Sequence, residues 1–369
     1  MKDLEVTRKE IIETDKALAA LFKKRMYLAK DVAAYKKANN LPILDEKREV
    51  LVRERFVNAV DDAALSAWAE KLITNMMTYS KEYQAKQLGL DAEKPQVVYQ
   101  GTAGAYGEEA TLGFFADGCN ARNVKTFEAV FNAVEGGEAQ YGVLPIENSS
   151  TGAIGDVYDL LAKRNCRIVG EYILPIRHNL MGVKGASADT IQTVYSHAQG
   201  IEQCSAYLSK FENANLVPYH NPAVSAAYVA EQADVTKAAI ASKRCAELYN
   251  LKIIAENINN NKNNFTRFVV IKKDEQIAEN ADKISVMMTL RHESGTLAHV
   301  VSLFLEYGVN LLKIESRPIP NRSWEYCFFI DFEGNMRAEN VNELVGKLMA
   351  QTTSFALLGN YKAAALKEA

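Results

Sequence analysis

The chain has 369 residues, 48% of them hydrophobic and 24% charged, with a formal net charge of −3. That length calls for two or three domains, and the near-neutral charge excludes a general pull toward nucleic acid or an anionic membrane. Five cysteines (Cys119, Cys166, Cys204, Cys245, Cys327) form no CxxC pair, the five histidines show no ligand spacing, and no apolar run approaches a membrane span. Free thiols, no metal, no cofactor, no disulfide frame and a cytoplasmic location are the expectations.

Residues 1–90 contain no glycine before Gly89 and one proline, Pro42, which predicts helix throughout. A first helix runs from about Lys2 to Ala38, a second begins near Asp45, and a third follows the acidic "DDAAL" at 61–65 and ends near Leu88. Steps of four and three along the first helix give Leu4, Arg8, Ile11, Asp15, Leu18, Phe22, Arg25, Ala29, Val32 and Lys36. A packed seam should be apolar, yet three cations and one carboxylate interrupt it. Internal ion pairing absorbs one cation; the excess suits a polyanionic ligand. Arg8 and Arg25 are about 25 Å apart along a straight helix and cannot grip one small molecule, whereas Arg25 and Lys36, about 16 Å apart, can converge on one. Arg8 is thus expected to serve a second, symmetry-related site in a homodimer. Asp45, Arg48 and Glu49 share one face of the second helix, and Ser80 and Gln84 one face of the third.

From Val97 to about Lys273 strand-like runs alternate with helical ones, an α/β pattern. Candidate strands are "VVYQ", "YGVLPI", "CRIVGEYILPI", "TVYS", "AAIAS" and "RFVVI"; candidate helices are "GEEATLGFFA", "TFEAVFNAVEGG", "IEQCSAYLSKF" and "AVSAAYVAEQA". The chain is expected to switch between two lobes near Pro175 and again near Ile253, the strand after "TRF" returning to the first lobe. The loop with Gly101, Gly104 and Gly107 aims backbone N–H groups at an anion, but matches no nucleotide-binding fingerprint. Polar strand ends recur: Glu147, Asn148, Ser149, Ser150, Thr151 and Gly152 after "VLPI", then Ser196, His197 and Gln199 after "TVY", and Thr266 with Arg267 in "NFTRF". Such ends line a cleft in open α/β sheets.

Beyond the linker "KKDEQIAENADK" the order is "ISVMMTL", "GTLAHVVSLFLEY", "NLLKIESRPI", "EYCFFIDFEG", "ENVNELVGKLMAQ" and "FALLGNYK". This reads βαββαβ, a ferredoxin-like unit.

Three resemblances follow. Residues 1–90 resemble the all-helical chorismate mutases, which form an intertwined dimer. The likeness implies that Arg8 (from the partner chain), Arg25, Lys36, Asp45, Arg48, Glu49, Ser80 and Gln84 bind chorismate and convert it to prephenate without a cofactor. Lys36 and Gln84 would donate to the ether oxygen, and Glu49 would accept from the substrate hydroxyl. Residues 96–273 resemble the prephenate dehydratases in the "ENS…GA", "SHxQ…QC" and "TRF" motifs; Ala198 stands where that family usually has Pro, and Gly107 where it often has Ser. Here the likeness implies decarboxylative dehydration of prephenate to phenylpyruvate, with Asn148, Ser149, Ser196, Gln203, Thr266 and Arg267 at the site. Arg267 would hold a carboxylate and Thr266 would act on the departing hydroxyl. Residues 282–362 resemble an ACT regulatory domain. By that likeness, L-phenylalanine would bind at Gly295, Thr296, Leu297, Glu315, Ser316, Arg317 and Pro318 and inhibit the enzyme. The resemblances together imply one multifunctional enzyme of phenylalanine biosynthesis: an all-α dimerising domain, a two-lobed α/β domain and a ferredoxin-like domain, with no nucleic-acid or membrane partner. The competing reading is a non-catalytic amino-acid sensor, with a two-lobed binding fold and a helical dimerisation arm.

Overall fold

The structure, a computed structural model, describes residues 3–38, 46–87, 94–273, 277–319, 322 and 324–365. It divides into two units, Met1–Lys94 and Pro95–Ala369.

The first unit holds α1 (Leu4–Ala38), α2 (Glu46–Val60) and α3 (Ser66–Gln87), as the lack of glycine predicts. Among the described residues, its buried apolar side chains are Ala33, Ala69, Ile73 and Met77. Ile11, Leu18, Phe22, Tyr35, Trp68 and Leu72 are exposed, Tyr35 at 65% and Trp68 at 68%. Much of the apolar surface of this 35-residue helix is left uncovered within the unit.

The second unit begins with β1 (Gln96–Gln100), α4 (Tyr106–Phe114), β2 (Asn120–Val124), α5 (Phe127–Glu135), β3 (Tyr141–Asn148), β4 (Gly152–Ala153), α6 (Gly155–Lys163) and β5 (Arg167–Pro175). The chain then crosses to a second lobe: β6 (Asn179–Gly182), β7 (Thr193–Ser196), α7 (Ala198–Glu202), α8 (Ser205–Leu208), β8 (Asn215–Pro218), α9 (Pro222–Gln232), β9 (Lys237–Ala241), α10 (Lys243–Leu248) and β10 (Lys252–Ala255). It returns as β11 (Phe265–Lys272) to the centre of the first sheet, ordered β2-β1-β3-β11-β5, while the second runs β10-β6-β9-β7-β8. The two crossovers fall where the sequence places them, although β10 still belongs to the second lobe and the return comes after Ala255. Local chemistry sets the helix starts: Thr126, Asn221 and Ser242 each accept a backbone N–H at an N-cap, and Pro222 occupies the first turn of α9.

One expected helix is two. "IEQCSAYLSKF" breaks between α7 and α8 because the Asn260 side chain enters the ladder. Asn260 Nδ2 donates to Glu202 O at 3.1 Å and its Oδ1 accepts from Ala206 N at 3.0 Å, an i, i+4 pair that would otherwise bond to each other. Sequence periodicity cannot register an insertion from 54 residues away.

The last part comprises β12 (Lys283–Thr289), α11 (Thr296–Glu306), β13 (Leu311–Pro318), β14 (Tyr326–Glu333), α12 (Glu339–Gln351) and β15 (Ser354–Tyr361), the antiparallel sheet running β13-β14-β12-β15. Alternation sorts its faces. Ile284, Val286 and Met288 pack on Val300, Phe304 and Leu344 of the helices, whereas Phe329, Leu358 and Tyr361 join the core of the first lobe. The approach is close: a Cβ on Gly359 would lie 2.1 Å from Ile168 O.

Candidate active sites

In the helical unit a cavity of about 680 Å3 is lined by Arg25, Lys36, Arg48, Glu49, Ser80 and Gln84 among others, bringing together six of the eight expected residues. All three helices contribute, each from a face set by helical period. Arg25 Nη1 donates to Met76 O at 2.9 Å and to Ser80 Oγ, and burial lowers its pKa. The Gln84 amide is buried and its Oε1 has no hydrogen-bond partner. A desolvated guanidinium turned to neutral partners suits a bound anion, and an amide turned over from this placement would present its NH2 to an anion's oxygen. Arg8 is elsewhere: its Nη1 pairs with Glu5 at 3.1 Å on an exposed face of α1. Asp45 lies outside the described residues.

In the two-lobed part Asn148 and Thr266 face each other across β3 and β11. Asn148 Nδ2 donates to Thr266 Oγ1 at 3.0 Å, to Phe265 O at 3.1 Å and to Asn264 Oδ1 at 2.7 Å. With its oxygen accepting, the Thr266 hydroxyl proton is left to donate elsewhere. Gln203, between α7 and α8, accepts at Oε1 from Asn264 Nδ2 at 3.3 Å. A cavity of about 280 Å3 beside it is lined by Ser150, Gln203, Asn259, Asn260, Asn261 and Asn264, amides and a hydroxyl without a charged group.

Three expected substrate contacts have other tasks. Ser149 Oγ accepts from Phe265 N at 2.9 Å and donates to Asn263 O at 3.2 Å, locking the turn to the asparagine loop. Ser196 is fully buried and donates to Ile240 O at 2.9 Å, tying β7 to β9. Arg267 points away from the cleft. Its Nε pairs with Glu171 at 2.7 Å, Nη1 with Asp331 at 2.6 Å, and Nη2 donates to the Tyr361 hydroxyl at 2.9 Å. Successive strand residues face opposite sides, so a Thr266 turned to the cleft sends Arg267 the other way. Burial opposes the Arg267 cation, but Tyr361, Asp331 and Glu171 outweigh it and hold its pKa well above the ordinary value. Burial likewise opposes the Asp331 carboxylate, and Arg267 and Lys283 outweigh it, keeping its pKa low. The assignment of Arg267 to a substrate carboxylate is therefore corrected: it anchors the C-terminal sheet.

The two departures from the dehydratase motifs fit the backbone. Ala198 is the first residue of α7, a position that accepts Pro or Ala alike. At Gly107 a Cβ would sit 2.8 Å from Gln100 O, so the glycine matches this close turn.

In the C-terminal part Gly295 caps α11 at φ 84°, and Thr296 and Leu297 line a cavity of about 340 Å3 with Arg291, His292, Tyr326 and Phe328. Glu315–Pro318 lie on edge strand β13 and do not line it. Side chains alternate there. Lys313 pairs with Glu147 at 2.7 Å, off the line of a hydrogen bond, and Arg317 with Asp159 at 3.1 Å, while Ile314, Ser316 and Pro318 face outward.

Comparison with known proteins joins these sites. The sequence matches the chorismate mutase type II family over residues 7–85, the prephenate dehydratase family over 97–276 and the ACT domain family over 284–348. The bifunctional chorismate mutase/prephenate dehydratase of Aquifex aeolicus is 31% identical over 369 residues, covering 100% of both chains. The L-Phe complex of prephenate dehydratase from Arthrobacter aurescens superposes with a TM-score of 0.67 at 28% identity, over 72% of this chain and 89% of that one. A chain described as a quorum quenching acylase, GqqA, shares the fold at a TM-score of 0.67 and 24% identity, over 73% of this chain and 98% of that one. On sequence over its full length, the chain belongs to the bifunctional chorismate mutase/prephenate dehydratase family.

Proposed function

We propose that the helical unit rearranges chorismate to prephenate, that the two-lobed part converts prephenate to phenylpyruvate, and that phenylalanine bound at the C-terminal part restrains the second reaction. The first reaction breaks one C–O bond and forms one C–C bond with no proton exchanged. The site therefore needs only to hold a dianion in its reactive shape and stabilise charge on the ether oxygen. Arg25, Arg48 and Lys36 supply cations and Gln84 a neutral donor. Arg8 completes the site from a second copy of the chain, to which the exposed apolar face of α1 belongs. A homodimer in the cytoplasm is part of this reading.

In the second reaction prephenate takes up one proton and yields phenylpyruvate, CO2 and water. The ring hydroxyl is a poor leaving group until it is hydrogen-bonded or protonated. The single observation that carries this assignment is the Asn148–Thr266 hydrogen bond, which fills an acceptor position on Thr266 and turns its proton outward. The amides lining the small cavity are suited to receive carboxylate oxygens without a cation. For the effector, Thr296 and Leu297 would supply one wall and Glu315–Pro318 of a second copy another, since apolar residues of α11 and β13 (Leu297, Val301, Leu305, Leu312, Ile314) are exposed together. The test is turnover of both substrates by the purified chain, with and without phenylalanine.

A further inference from the structure

A chain of hydrogen bonds runs beyond the residues assigned so far. Thr266, Asn148, Asn264 and Gln203 are its first four members, and it continues from Gln203 Oε1 to His178 Nε2 at 3.0 Å and from His178 Nδ1 to the Tyr106 hydroxyl at 2.9 Å. His178 is buried, 3% exposed, on the crossover between β5 and β6. Its backbone is held as well. His178 N donates to Asn259 Oδ1 at 2.7 Å, Asn259 Nδ2 donates to Ile176 O at 3.0 Å, and Ile258 N donates to His178 O at 2.9 Å. The two crossover strands are thus zipped together at His178. Its ring then reaches Tyr106 of α4 in the first lobe on one side and Gln203 of the second lobe on the other.

The direction of the bonds from Asn148 through Gln203 to His178 Nε2 follows from backbone groups that cannot reverse. Ser150 N and Thr151 N donate to Asn148 Oδ1 at 2.9 and 3.1 Å, so the other end of Asn148 must be its NH2. Asn264 must then present its oxygen to Asn148 and its NH2 to Gln203, and Gln203 must present its oxygen to both Asn264 and His178. The ring therefore carries a proton on Nε2, while the single Tyr106 hydroxyl proton has two acceptors in reach, His178 Nδ1 at 2.9 Å and Arg177 O at 3.1 Å. Burial lowers the pKa of this ring and favours the neutral form, in which Nδ1 accepts from Tyr106.

We propose that His178 is a positioning residue of the dehydratase site, fixing the Gln203 amide across the lobe boundary and, through Asn264 and Asn148, the orientation of Thr266. This rests on the cleft being the dehydratase site. Without the Nε2–H donor, Gln203 Oε1 keeps one partner and the amide is free to turn over, which removes the acceptor that orders Asn264. Networks of this kind act as a unit, so the losses from breaking successive links overlap.

The experiment is a double-mutant cycle on the full chain, with prephenate as substrate. His178→Phe keeps a ring of similar size without the donor, Gln203→Ala removes the group it acts through, and His178→Gln restores an N–H donor of comparable reach. The expected result is that His178→Phe and Gln203→Ala each lower kcat about tenfold or more, with KM changed less than about threefold. The double variant should be no slower than the slower single, and His178→Gln should recover much of the loss. Multiplying losses in the double variant, a His178→Phe enzyme within about twofold of wild type beside a slow Gln203→Ala, or a Gln variant no better than Phe overturns the proposal. An unaffected Gln203→Ala enzyme overturns the reading of the cleft beneath it.

Discussion

Thr266 and Arg267 are neighbours on β11 and serve opposite faces of it: Thr266 accepts from Asn148 in the cleft, and Arg267 pairs with Asp331 of the C-terminal sheet at 2.6 Å. The residue expected to do chemistry and the residue that docks the regulatory part therefore share one peptide bond. Thr266→Ala should lower dehydratase kcat by about a hundredfold or more while mutase activity in the same chain is unchanged. Arg267→Leu should leave KM for prephenate within about threefold and lower the melting temperature, since an opened buried ion pair costs about 3–5 kcal/mol. A tenfold rise in KM for Arg267→Leu would return that residue to the cleft.

The same cluster predicts a pH dependence. Asp331 faces Arg267, Lys283, Ser285 and, through that serine, Tyr361, with Glu171 on the far side of both cations. Its folded pKa lies below the ordinary 3.8, so the unfolded chain binds the proton more readily. The stability it contributes is complete above the ordinary carboxylate range and is lost as pH falls through the lowered folded value. Asp331→Asn should thus melt below wild type at pH 7, and the gap should close in acid. A gap that is constant with pH in thermal melts would remove Asp331 from this role.

Arg8, apart from the cavity that Arg25 and Lys36 line, predicts complementation between chains. Arg8→Ala and Lys36→Ala should each abolish mutase activity, and co-refolding them in equal amounts should restore about a quarter of it. Half of randomly paired dimers would then carry one intact site of two. No recovery on mixing, with dimers present by sedimentation, would place Arg8 outside the site.

Lys313 links the effector strand to the cleft through Glu147, the residue before Asn148. Lys313→Met should keep dehydratase activity without phenylalanine within about twofold and weaken inhibition by phenylalanine several-fold. Inhibition curves that superimpose with wild type would show that the signal does not pass through this pair.

What the sequence revealed follows from which signals are local. The six residues of the expected mutase site that line one cavity stand on long helices whose period is fixed, so their faces could be counted; Arg8 could not be placed without a partner chain. The βαββαβ order was readable because each element is bounded by turns and keeps its own period. Arg267 was misplaced although the signal was present: two adjacent strand residues cannot face one pocket. Ser149 and Ser196 look like site hydroxyls in sequence, and only the folded chain shows their backbone partners. His178 lies 72 residues from Tyr106 and 25 from Gln203, so nothing in its neighbourhood marks it. The break between α7 and α8 was hidden for the same reason, being made by Asn260.

The central claim is that one chain carries both reactions, the second depending on Thr266 and restrained by phenylalanine. The direct measurement supplies chorismate to the wild-type chain and to Thr266→Ala and follows prephenate and phenylpyruvate separately, with and without phenylalanine. The account predicts phenylpyruvate from wild type, less of it when phenylalanine is present, and prephenate accumulating without phenylpyruvate from Thr266→Ala. Untouched chorismate, or equal phenylpyruvate from both proteins, would contradict it.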